Sequence, residues 1–183
     1  PSSPGQSWKM GVRMKPVHCL AFAVCAFAGT AIAEKPHKNP QIDYPGFQKL
    51  ARETAPVRAK RLVSLDAFKA MAGSGKAIIL DARSANAFAE GHIAGAINLP
   101  LTDFTAEALA AALPDPARPI LIYCNNNFSN NKRPVALKAA PVSLNIQTQI
   151  NLAAYGYRNV YELGEVVDFD DPKVGWEKTA ASG

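Results

Sequence analysis

Cys124 closes an apolar run, Ile120-Leu121-Ile122-Tyr123, and opens a polar stretch, Asn125-Asn126-Asn127-Phe128-Ser129-Asn130-Asn131. A thiolate is a strong nucleophile, and backbone N–H groups or cations around the sulfur favour its formation. Asparagine tolerates left-handed backbone better than most residues. Five asparagines within residues 125–131 therefore predict a turn whose successive N–H groups point inward as an anion-binding nest. The expectation is a thiol of lowered pKa at Cys124, cradled by the amides of residues 125–130, and nucleophilic chemistry there. Lys132 and Arg133 are candidates to bind an anionic substrate, with a solvated basic turn as the alternative. For the whole stretch the plainer alternative is an Asn-rich turn beside an inert thiol.

The flanking sequence reads as the scaffold for that sulfur. Arg61-Leu62-Val63, Ala77-Ile78-Ile79-Leu80, Ala96-Ile97-Asn98-Leu99, Ile120–Tyr123 and Asn159–Leu163 are short apolar runs, as expected of strands covered on both faces. Ser64 is a natural N-cap for a helix whose Leu65, Phe68 and Met71 or Ala72 form one stripe, stopped by Gly73 and Gly75. Ser84–Glu90 and Ala106–Leu113 read as further helices. Another is predicted over Leu144–Tyr155, with Ser143 as N-cap and Leu144, Ile146, Ile150 and Ala153 or Ala154 facing inward. Strands alternating with helices predict an α/β domain with a mostly parallel central sheet and helices on both faces. Ligands in such sheets sit at the carboxyl ends of the strands, where Cys124 falls. Residues 34–59, polar and Pro-containing without a clean period, read as a linker or loosely packed extension, and 60–183 as the single domain with its C-terminal tail.

Several segments resemble a rhodanese-like domain. They are Leu80-Asp81-Ala82-Arg83-Ser84, Phe88-Ala89-Glu90-Gly91-His92-Ile93-Ala94-Gly95-Ala96-Ile97-Asn98-Leu99-Pro100, Ile122-Tyr123-Cys124 and Gly156–Leu163, in the family's order and spacing. The resemblance implies a sulfurtransferase. Cys124 would accept a sulfane sulfur as a persulfide, by default from thiosulfate, and pass it to a thiophilic acceptor such as a thiol. The active-site loop would comprise Asn125, Asn126, Asn127, Phe128, Ser129, Asn130, Lys132 and Arg133. Asp81, Arg83, Gly91, His92 and Gly95 read as structural, tying the strand end and a tight Gly-rich turn. The chain departs from the family after Cys124, where the stretch from Asn125 to Ser143 is much longer than the usual short cradle. Phosphatases of this fold need Cys-x5-Arg, and the sixth residue after Cys124 is Asn130, which argues against phosphate-ester hydrolysis. Two alternatives stand beside sulfur transfer: a catalytically inactive binding or redox-sensing module, and a thiol-dependent anion reductase.

The 183 residues are 48% hydrophobic and 19% charged, the profile of one folded domain, which excludes collagen-like, coiled-coil and largely disordered chains. Val17–Ala33 is apolar, follows Lys15, and ends in Ala31-Ile32-Ala33, as in a secretory signal peptide cut after Ala33. Met10 or Met14 is the more natural start, Met14-Lys15 giving the tidier signal, and residues 1–13 are set aside from the fold. Export predicts a periplasmic or secreted protein without membrane insertion after cleavage. Cleavage would remove Lys9, Arg13 and Lys15 and no acid from totals of 20 basic and 15 acidic residues. The mature chain is then near neutral, so no nucleic-acid partner is expected. It would also remove Cys19 and Cys25, leaving Cys124 as the one thiol of the mature chain. The expected partners are a small sulfur-containing anion or thiol, and a periplasmic protein. Asp168, Asp170 and Asp171 read as a solvated acidic loop, with Phe169 and Trp176 anchoring the tail. No metal-ligand spacing, P-loop or dinucleotide motif is present, so neither metal nor cofactor is expected.

Overall fold

Continuous apolar strands, with side chains pointing alternately to the two faces, decide how this chain layers. In the computed structural model, which describes residues 39–179, the elements run α1 (Tyr44–Ala59), β1 (Leu62–Val63), α2 (Leu65–Gly73), β2 (Ile78–Asp81), α3 (Ala85–Glu90), β3 (His92–Ile93) and β4 (Ala96–Asn98). They continue with α4 (Ala106–Ala112), β5 (Ile120–Tyr123), α5 (Leu144–Ala154), β6 (Val160–Leu163) and β7 (Trp176–Glu177). Five strands form a parallel sheet in the order β1-β6-β5-β2-β4. Ile79, Leu121, Tyr123 and Leu163 point to one face and pack with Leu65 and Phe68 of α2. Leu80, Ile120, Ile122 and Val160 point to the other, against Leu109 of α4 and Leu152 of α5. Burial on both faces is why these strands read as continuous apolar runs. All these elements lie in one compact unit that begins at Pro40.

Local chemistry starts the helices where the sequence predicts. Ser64 accepts from the Ala67 N–H at 3.2 Å and Ser84 from the Ala87 N–H at 3.3 Å, each satisfying an otherwise unpaired N–H of the first turn. Thr105 caps α4 in the same way, on Ala108 at 3.1 Å.

Three features differ from the sequence reading. Residues 44–59, expected as linker or loose extension, form the 16-residue helix α1. Asp43 caps it on the Gly46 N–H at 2.9 Å, and Pro45 sits in its first turn, where a missing N–H breaks no helical bond. Second, polar residues share the buried face of α5 with apolar ones. Asn145, Thr148, Gln149, Ile150 and Leu152 are buried, while Ile146, expected inside, is only half-buried. Third, a small antiparallel sheet pairs β3 with β7 and brings the tail back onto the domain. Trp176 and Phe169 stack at 5.1 Å, with Phe128 edge-on to both.

The leader segment predicted over residues 1–33 lies outside the described residues. Among the described residues no helix is long and apolar enough to cross a membrane.

Candidate functional site

The site is built outward from the carboxyl ends of β2 and β5. Asp81 ends β2, is fully buried, and holds Arg83. The guanidinium Nε donates to Oδ1 and Oδ2 at 3.0 Å each, and Nη2 donates to Oδ2 at 2.5 Å and to the Gly91 carbonyl at 2.7 Å. Tyr123, at the end of β5, donates its hydroxyl to the same carboxylate at 2.6 Å and accepts the Ile93 N–H at 3.0 Å. Burial and the Asp81 charge hold the Tyr123 phenol well above its ordinary value. Burial works to lower Arg83, but the Asp81 carboxylate outweighs it and the guanidinium stays charged. A buried, fully forked pair of this kind fixes geometry.

The Gly-rich turn after α3 has steric reasons for its glycines. A Cβ on Gly91 would lie 2.2 Å from the Trp176 indole nitrogen, and Gly95 has φ +80, a conformation side chains resist. His92 Nδ1 lies 2.9 Å from the Phe88 carbonyl, which can only accept, so Nδ1 carries the proton; the ring stacks on Phe88 at 3.7 Å. Asp81, Arg83, Gly91, His92 and Gly95 thus form the frame behind the site.

Cys124 follows β5 directly. Its sulfur faces three backbone N–H groups, those of Asn145, Asn126 and Leu144. Two of these belong to the first turn of α5, whose N-cap Ser143 makes no side-chain capping bond. The open N-terminus of α5 is therefore turned on the sulfur, where its partial positive charge favours an anion. Cys124 is nonetheless only 1% exposed. Burial pushes its thiol above the ordinary value, the three amides oppose that rise, and the Glu162 carboxylate adds to it. The expectation of a lowered thiol pKa is thus corrected: desolvation outweighs the amides here.

The nest drawn from the asparagines is also corrected. Residues 125–127 form a 3-10 turn, and among the described non-glycine residues Asn131 alone has positive φ. The amides of Asn127, Phe128 and Ser129 are spent on the carbonyls of Cys124, Asn125 and Val167. The asparagine side chains have other work. Asn127 is buried; its Oδ1 accepts the Cys124 N–H and Asn145 Nδ2, each at 2.9 Å, and its Nδ2 donates to Leu163 O at 2.6 Å. Asn125 Nδ2 donates to Ala136 O, and Asn126 exchanges two bonds with the Lys138 backbone. These bonds pin the long loop 131–143 beside the cysteine.

The loop walls a cavity of about 500 Å3 onto which Cys124 opens, together with Arg83, Asn125, Asn126, Lys138, Val142 and Leu144. Two cations line it, and among its described lining residues none is acidic. Lys138, Leu144 and Asn145 were missed by sequence reasoning; Ser143 as a helix N-cap was the available signal for the last two.

The other expected site residues lie elsewhere. Phe128 is fully buried and packs edge-on against Tyr123 at 5.9 Å. Ser129 pairs with Val167, and Asn130 ties Asp168 and the Phe169 N–H. Lys132 pairs with Asp170 at 3.1 Å and Arg133 with Glu90; both line a separate cavity with Phe169 and Trp176. Among the described residues no cluster of three or more His, Cys, Asp or Glu could hold a metal.

A family model for the rhodanese-like domain matches residues 64–165, more than half the chain. The chain belongs to the rhodanese-like domain family. Its five-stranded, mostly parallel sheet flanked by helices is the rhodanese fold. Solved structures similar to this rhodanese-like domain include the BH2092 protein of Bacillus halodurans, at 20% identity over 77% of this chain and 88% of that one, with a TM-score of 0.47. A rhodanese with anions from E. coli matches at 25% identity over 49% and 87%, with a TM-score of 0.35. EanB in complex with hercynine matches at 24% identity and a TM-score of 0.43, over 56% of this chain but only 23% of EanB. No curated protein matches the chain.

Proposed function

We propose that this rhodanese-like domain is a sulfurtransferase that carries sulfane sulfur on Cys124. The observation that carries the reading is the Cys124 sulfur set against the amides of Asn126, Leu144 and Asn145 at the floor of a cavity with two cationic linings. With thiosulfate as donor, the Cys124 thiolate attacks the outer sulfur. The bond from that sulfur to the sulfonate breaks, and sulfite leaves with the electron pair. An acceptor thiolate then attacks the outer sulfur of the persulfide, and the Cys124 thiolate departs. The amides stabilise the negative charge on sulfur in both steps, while Lys138 draws the anionic donor in. The apolar, Ala-ending segment Val17–Ala33 supports work in an exported compartment.

Incubation of the purified protein with thiosulfate, followed by intact-mass measurement, tests this. One added sulfur atom on the wild type and none on Cys124→Ser is the expected result. No addition to the wild type overturns it.

A second reading, an inactive binding or redox-sensing module, is favoured by the burial of Cys124 and the upward push on its thiol. It predicts no sulfur addition and slow iodoacetamide alkylation at neutral pH.

A further inference from the structure

Glu162 is an acid in a short, largely buried strand whose Val160 and Leu163 are buried and apolar. It is 5% exposed. Arg58 reaches it from α1, with Nε on Oε2 at 2.5 Å and Nη2 on Oε1 at 2.6 Å. The same Oε1 lies 3.3 Å from Asn145 Nδ2, which also donates to Asn127 Oδ1 at 2.9 Å. That oxygen accepts the Cys124 N–H. One unbroken chain of hydrogen bonds therefore runs from α1 through β6 and α5 to the backbone of the cysteine. Asn145 is also one of the three residues whose own N–H faces the sulfur.

We propose that Glu162, clamped by Arg58, is a positioning residue for Cys124: it sets the first turn of α5 against the sulfur, and the pair tunes the negative charge that develops there, the guanidinium favouring it and the carboxylate opposing it. The inference rests on Cys124 as the reacting atom of the proposed function, and not on its carrying sulfur. Glu162 from β6 and Arg58 from α1 both act electrostatically on the cysteine. Arg83 after β2 and Lys138 on the long loop line the cavity onto which it opens. Leu144 and Asn145 of α5 face it with amides and carry no titratable group. A carboxylate near a thiolate opposes ionisation and a guanidinium favours it. The two members of the pair must then act with opposite sign.

The test is the pH profile of Cys124 alkylation by iodoacetamide. Glu162→Gln keeps an acceptor for Asn145 and removes the charge; the midpoint moves to lower pH by about one unit. Arg58→Gln moves it up by a similar amount, and Arg58→Lys restores the wild-type profile. A purely structural role would lower the melting temperature and move both midpoints the same way or leave them in place; either outcome overturns the proposal. Should Glu162→Gln fail to fold, the half-exposed Arg58 pair of variants decides alone: an unmoved Arg58→Gln midpoint, or one that Arg58→Lys does not restore, overturns it. Opposed shifts without sulfur addition from thiosulfate would remove the sulfurtransferase reading and leave this inference standing.

Discussion

Asn127 Oδ1 accepts the backbone N–H of Cys124 at 2.9 Å. The side chain that follows the cysteine by three residues thus holds its main chain from below, and its Nδ2 ties the turn to Leu163 O at 2.6 Å. Replacement by Ala leaves several buried groups unpaired, each costing about 1–3 kcal/mol. Asn127→Ala is expected to lose roughly 2–4 kcal/mol in urea unfolding and to slow alkylation of Cys124 wherever it remains folded. An unchanged urea midpoint would show that the amide does not hold the turn.

Arg83 and Asp81 are both buried, at 3% and 0% exposure. Removing one partner strands a charge, at a cost of about 3–5 kcal/mol. Arg83→Met is expected to destabilise by that amount, leaving the Asp81 carboxylate to the Tyr123 hydroxyl and the residue-83 backbone N–H as its remaining donors. Equilibrium denaturation measures it; a loss below about 1 kcal/mol would mean that the frame is held by its strands alone.

Gly91 faces the Trp176 ring with no room for a Cβ. Trp176 cannot simply swing aside, because Phe128, Phe169 and Arg83 pack around it. Gly91→Ala is expected to lose about 1–3 kcal/mol, the usual range for overpacking, and to red-shift the tryptophan emission as β7 lifts. Unaltered emission would argue that the tail adapts in place.

Burial raises the Cys124 thiol above its ordinary value, and the sign of the stability effect follows. The unfolded chain ionises first as pH rises. The stabilising contribution is therefore complete below the unfolded thiol value and is lost as pH rises through the higher folded one. Wild-type melting temperature should fall more steeply across this alkaline window than that of Cys124→Ser. Parallel curves would contradict a raised thiol.

The scaffold was legible where burial is two-sided or a cap is local. Ile120–Tyr123 and Ile78–Asp81 announce themselves as apolar runs, and Ser64 and Ser84 cap within three residues. Cys124 at the end of a buried strand was likewise readable. What escaped depends on partners distant in sequence. Asp43 and Pro45 are local start signals for α1, but its docking rests on Arg58 finding Glu162 104 positions away. Asn145 is buried on α5 because Asn127 and Glu162 take its side-chain amide, partners that no local pattern in 144–155 announces. Lys132 and Arg133 are cations beside a nucleophile in sequence only; Asp170 and Glu90 take them.

The bonds from Asn125 and Asn126 to residues 136 and 138 end on main-chain atoms, not on side chains. The outline of the doorway is consequently independent of which side chains stand at its threshold. Substitutions at Ala136 or Lys138 can retune which visitors are admitted while the opening keeps its shape, so selectivity and architecture are free to evolve separately.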